Sequence, residues 1–296
     1  MKTSKAAGVI LIAIIFLLLC ACARGGAEQT TGPSEQYTTT PATTGEAATE
    51  NQTAAPAGET TTAAAGTAAP LTPLSPKADI VSLFNEAANR VKQTKPGYTF
   101  SSTAGADKKN ITVSDNVPFH SFIASFAASF INSAKKEPVT VAKGENHNDF
   151  PVKGQPWASR LDPAALTGAV LNDNGMYYEI ELQFKDEKLS ALPAKNNNSA
   201  HGKAFTLLLD EDFRKEFGGF NTKFMGINIH VENQKFEPAY SGSSIRCKID
   251  KAGNMLSAVY FLNTVSDVDM MVEVNSKDYL IGIKLEYSMT ETYTFD

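Results

Sequence analysis

Apolar residues recur along this chain with two periods, and the change from one to the other divides it. Ile80, Leu83, Phe84, Ala87 and Val91 recur at helical spacing and lay one apolar stripe along a helix. Ser75-Pro76 suits its start, because serine caps free N–H groups and proline in the first turn forfeits no bond; Pro96-Gly97 ends it. A second helix is predicted over about residues 118–136. There Phe119, Phe122, Ile123, Phe126, Phe130 and Ile131 form an aromatic stripe, with Ser121, Ser125 and Ser129 repeating opposite it. Such a face packs on a sheet or lines an apolar pocket, which makes Phe122, Phe126 and Phe130 the candidate ligand-lining residues. Asp162-Pro163 resembles another cap-and-proline start and predicts a short helix through about Leu171.

Beyond that point the period falls to two. Tyr178, Ile180, Leu182 and Phe184 alternate with Glu179, Glu181 and Gln183, the pattern of a half-buried strand. Residues 195–199 read as an exposed loop, 204–209 as a strand and 211–217 as a brief helix. Alternation resumes at Ile227, Ile229 and Val231, and again at Ile245, Cys247 and Ile249. Asp250-Lys251-Ala252-Gly253-Asn254 is a hairpin turn, returned by Leu256, Ala258, Tyr260 and Leu262. Two further alternating stretches follow, 268–274 and 281–287. Helices first and strands afterwards predict an α+β domain, with N-terminal helices packed on a curved, mostly antiparallel β-sheet meander.

The first residues carry an address. Lys2 and Lys5 precede an uncharged apolar run, Val9 to Leu19. As a helix that run is about 16 Å long, half of the roughly 30 Å hydrocarbon core. It reads as an export signal rather than a span. Leu19-Cys20-Ala21-Cys22 resembles the lipobox of bacterial lipoproteins, in which a peptidase cuts before a cysteine that carries diacylglycerol. Cys22, preceded by small Ala21, fits that role better than Cys20, preceded by bulky Leu19. The other readings are a plain secretory signal or an uncleaved anchor. The resemblance implies a covalent lipid anchor at Cys22, acylation of the palmitate kind and the extracytoplasmic face of a cell membrane. Each buried CH₂ of the anchor contributes about 0.8 kcal/mol, so two or three chains hold stably. The segment from Tyr240 through the Gly253-Asn254 turn also weakly resembles repeats in uncharacterised lipoproteins of Gram-positive bacteria, and this implies no activity.

Residues 22–74 are dominated by Thr, Ala, Pro, Gly and Glu without a helical or strand period. Such composition cannot bury enough apolar surface to offset its ordering entropy, so a disordered tether is expected, with an r.m.s. span of roughly 40 Å. The expected organisation is a signal over 1–21, the lipid-anchored linker over 22–74 and one domain over 75–296.

Charge and chemistry add mostly exclusions. The net charge is −5, without blocks of one sign, which offers no basic footprint for nucleic acid. With Cys20 and Cys22 assigned to the signal and anchor, Cys247 has no disulfide partner in the mature chain and reads as a buried core thiol. His120, His147, His201 and His230 show no metal-ligand spacing. Asp210-Glu211-Asp212 fits acids at a helix start better than a cation loop. Glu179 and Glu181 share a strand face, which glycoside chemistry could use, although a solvated face explains them more simply. There is no nucleophile elbow, SxxK, phosphate loop or dinucleotide fingerprint. No catalytic residue, metal or cofactor is expected. The reading is an envelope lipoprotein acting as a non-enzymatic binding module for an apolar ligand. The alternatives are a structural or protein-interaction component of the envelope and, third, a divergent hydrolase.

Overall fold

The computed structural model describes residues 76–296 except 115–119, 134–135, 146–147, 213–219, 225–226 and 275–276. The expected signal, Cys22 and the linker lie outside the described residues. Those described belong to one compact unit.

Among the described residues two long helices are present, α1 (Lys77–Thr94) and α2 (His120–Ser133). Around them run β1 (Tyr98–Gly105), β2 (Ile111–Val113), β3 (Lys136–Val141), β4 (Leu166–Asp173), β5 (Tyr177–Phe184), β6 (Glu187–Lys188) and β7 (Phe220–Phe224). The chain finishes with β8 (Ile227–Tyr240), β9 (Ser244–Asp250), β10 (Met255–Val274) and β11 (Lys277–Phe295). The eleven strands among the described residues form one sheet with the order β3-β1-β11-β10-β9-β5-β4; β2 pairs with β11, and β6, β7 and β10 pair with β8. Every pairing is antiparallel.

This corrects the expected class. Strand accounts for 46% of the described residues against 23% helical, so the fold is mainly an antiparallel sheet, not an α+β domain with N-terminal helices packed on one. β1 and β2 intervene between the two helices and β3 follows them, so the helices do not form a separate N-terminal layer. Local chemistry explains the difference. Asp162 does cap, accepting from Ala164 N at 2.8 Å, but the helix it opens is a single 3₁₀ turn, Pro163–Ala165. Thr167, Gly168 and Val170 disfavour helix, and the chain passes into β4 instead. Residues 204–209 are not a strand: Leu207 N donates to Asn196 Oδ1 at 2.9 Å and Asp210 N to Pro193 O at 3.1 Å.

The two C-terminal strands are longer than the apolar alternation predicts. β10 has 20 residues and β11 has 19, paired continuously from Ser257↔Thr294 to Val274↔Lys277. β9 pairs with the first part of β10 and β8 with the remainder. Between β8 and β9, Ser241-Gly242-Ser243 face only Leu262 and Asn263, a bulge that Gly242 permits at φ +64°. The hairpin turn expected at residues 250–254 is present. Asp250 Oδ1 accepts from Ala252 N and Asn254 N, and Gly253 has φ +82°.

One face of the sheet is the inner one. Ile180, Cys247, Ala258 and Tyr293 stand side by side on it, and Ile80, Phe84, Ala88 and Val91 of α1 share the same buried cluster. Phe150 closes this end with edge-on contacts to Tyr293 at 4.9 Å and Phe295 at 5.2 Å. Trp157, 7% exposed, is pinned to the molecule with the Arg160 guanidinium 5.0 Å from its ring.

Candidate functional site

The sheet has an outward face opposite the buried cluster. Because register is fixed across the sheet, outward residues form cross-strand rows. One row reads Thr140, Thr99, Thr294, Ser257, Lys248, Glu179 and Asn172. The next reads Ser101, Thr292, Val259, Arg246, Glu181 and Val170, and a third Thr103, Thr290, Phe261, Ser244, Gln183 and Gly168. None of these residues is buried. The face therefore has three zones: hydroxyls on β1 and β11, an apolar strip of Val259 and Phe261 on β10, and charges on β9 and β5.

Those charges are matched. Arg246 Nη2 lies 3.1 Å from Glu181 Oε1, and Lys248 Nζ lies 3.3 Å from Glu179 Oε1. Lys248 also lies 4.9 Å from the Tyr177 ring centre. The bond from Arg246, joined by one from Gln183, lowers the Glu181 pKa below the usual glutamate value. A glycosidase pair needs one carboxyl whose pKa is raised so that it can give up a proton. Glu181 is shifted the other way and both partners face cations, so the solvated-face reading accounts for this pair.

A second constellation lies on the inner side. Glu187 Oε1 accepts from Ala200 N at 2.8 Å, and Oε2 accepts from His201 N at 2.9 Å and lies 2.8 Å from His201 Nδ1. An ionised carboxylate only accepts, so the hydrogen-bond network assigns a proton to Nδ1. Burial would raise the Glu187 pKa, but the bonds from His201 and Ala200 outweigh it and hold it below the usual value. The imidazole is fully buried among Phe184 at 4.9 Å, Tyr240 at 4.9 Å and Phe205 at 6.0 Å. In sequence His201 simply precedes Gly202 in a loop context, which does not disclose this cluster. Its one signal is a histidine followed by a glycine whose Cβ would overlap the Asn196 carbonyl, a tight crossing rather than a loose loop.

The remaining sequence candidates are distributed as follows. Phe122, Phe126 and Phe130 fall on α2, and their side chains lie outside the described residues, as do those of His120 and His230 and all of His147. Cys247 is buried, and desolvation pushes its thiol up to about 12, an inert core group. Asp210 to Asp212 stand in a helical turn. Among the described residues no group of three or more His, Cys, Asp or Glu side chains is placed to hold a metal ion. No described helix is long and apolar enough to cross a membrane.

No protein-family model, curated protein or solved structure matches the chain.

Proposed function

We propose that this chain is a lipid-anchored binding module on the extracytoplasmic face of a bacterial cell membrane, and that its outward sheet face engages a neutral wall polymer. The anchor rests on Leu19-Cys20-Ala21-Cys22 and the apolar run before it. The observation that carries the binding reading is the zoning of the outward face. Hydroxyl-bearing rows of β11 and β1 adjoin Phe261 and Val259 on one side, while the charged zone on the other side is internally paired. A polyanion would require unpaired cations to replace its counterions. A neutral glycan needs hydrogen-bonding groups and an aromatic platform, which this face supplies. The apolar-ligand reading has less support. Tyr260, Phe150, Phe205 and Tyr293 fill the core at the α1 end in mutual edge contacts.

The test is made in cells grown with radiolabelled palmitate. The full chain is expected to take up label and to co-sediment with purified wall glycan after detergent extraction. Cys22→Ala should lose the label and keep the glycan, whereas Phe261→Ala should keep the label and lose most glycan binding. Retained labelling in Cys22→Ala overturns that anchor. Binding that disappears at high salt, or occurs only with anionic wall polymers, overturns the neutral-polymer reading.

A further inference from the structure

The β4–β5 hairpin closes on the chain's one Asn-Gly pair. Its strands pair as far as Asp173↔Tyr178, and Asn174, Gly175 and Met176 make the tip, with Met176 77% exposed. A side chain closes this turn where a backbone carbonyl would ordinarily do so. Asn174 N donates to Tyr177 O at 3.2 Å, but Tyr177 N donates to Asn174 Oδ1 at 2.9 Å. Met176 N donates to that same side-chain oxygen at 3.2 Å. Gly175 N donates to Asp173 Oδ1 at 2.8 Å, and Lys251 Nζ, from the β9–β10 turn, holds the same carboxylate oxygen.

Each bond by itself is ordinary turn chemistry. Together they surround one amide with the parts of an acyl transfer. The electrophile is Asn174 Cγ, whose oxygen accepts from two backbone N–H groups, the arrangement that stabilises a developing oxyanion. The nucleophile is Gly175 N. Only the Cα, Cβ and carbonyl carbon of Asn174 separate it from Cγ, so no distant part of the chain has to move. Gly175 has φ +90°, and no heavy atom lies within 4 Å of the place a Cβ would take, so nothing hinders its nitrogen. The base is Asp173. Its bonds from Lys251 and Gly175 N hold its pKa below the ordinary aspartate value, so it is ionised and accepting at neutral pH. Asn254, in the neighbouring turn, precedes the buried Met255 at the start of β10 and lacks this freedom.

We propose that Asn174 is a self-modification site, at which the hairpin converts its own side-chain amide to a carboxylate through a succinimide. Gly175 N bonds to Asn174 Cγ, and its proton passes to Asp173 and on to Nδ2. The Cγ–Nδ2 bond breaks and ammonia leaves. Water then opens the ring at one carbonyl or the other, giving aspartate or isoaspartate. No electrons are exchanged with another group. The product places a second negative charge beside Asp173, and its isoaspartyl form lengthens the main chain at the tip by a methylene. The site is independent of the wall-polymer reading, because none of its residues belongs to the outward rows.

The test incubates the full chain in detergent at neutral pH and follows residue 174 by peptide mapping, with mass spectrometry and isoaspartyl methyltransferase labelling. Asn174 should convert over days to weeks while Asn254 stays an amide. Because the fold supplies the oxyanion contacts and the base, the native chain should react about tenfold faster than the same chain in urea. Asp173→Asn still accepts from Gly175 N but takes no proton, and should slow conversion about tenfold or more. Its melting temperature should stay near that of the wild type, since Asp173 and Lys251 pair at the surface. An amide that persists at 174 overturns the proposal. So does a rate in urea equal to the native rate or above it, a comparison that needs no variant. Wild-type conversion in Asp173→Asn overturns the assignment of the base.

Discussion

His201 and Glu187 show how a polar stretch conceals buried structure. Asn196, Ser199 and His201 are all buried within a segment whose composition reads as solvent-facing. Asn196 is 2% exposed because its side chain substitutes for a strand partner at Leu207 N. Asn196 is matched by Leu207 and His201 by Glu187, pairs distant in sequence, a relation that periodicity does not record. The Glu187 pKa lies below its unfolded value, so the unfolded state binds the extra proton as pH falls. The pair therefore contributes stability that is present above the ordinary glutamate pKa and lost as pH drops through the folded value. Glu187→Gln should cost about 2 kcal/mol at neutral pH by weakening three bonds to one acceptor group. It should also flatten the decline of stability over that acid window, as urea unfolding at a series of pH values would show. An unchanged acid limb would mean that other carboxylates control it. Cys247, by contrast, was legible from alternation alone, because its burial depends on its own strand.

Among the elements, α1 was legible in its apolar stripe and illegible on its other side. Asn85 and Asn89 lie off the stripe, where a reading by hydropathy leaves them in water. They instead hold the extended segment that follows Trp157. Asn89 Oδ1 accepts from Ala158 N at 2.7 Å and Ser159 N at 3.1 Å, while its Nδ2 donates to Ser159 O at 2.8 Å. Asn85 repeats the pattern at Leu161 N and O. Two amides one helical turn apart thus imitate the edge of a strand. Asn89→Ala leaves three backbone groups without a partner and should cost about 2–3 kcal/mol, lowering the urea midpoint at unchanged slope. Asn89→Asp keeps the acceptor and should recover part of the loss. The strands show the complementary failure. Alternation stops at Asn263 to Asp267, so the sequence divides β10 in two, yet backbone pairing runs through without a break. Pairing needs only backbone groups, whereas the pattern records apolar side chains; the interruption marks the buried Thr264 and Ser266, not the end of a strand.

That continuity sets how the whole molecule responds to change. β10 and β11 run from the cluster shared with α1 to the opposite end of the sheet, where Val268, Met270, Ile281 and Ile283 are buried. At about 3.3 Å per residue, a 20-residue strand extends roughly 65 Å, so one hairpin connects packing regions that have few side chains in common. If these ladders open together, a perturbation beneath α1 must be felt at the far end. Ile80, 1% exposed beneath α1, provides a mild lever. Ile80→Val should cost about 1 kcal/mol, close to a fivefold rise in the unfolded fraction. Native-state hydrogen exchange should then show the amides of residues 258–262 and 268–272 speeding up by the same factor of about five, with a single thermal transition. Acceleration confined to 258–262 would show that the two ends open separately.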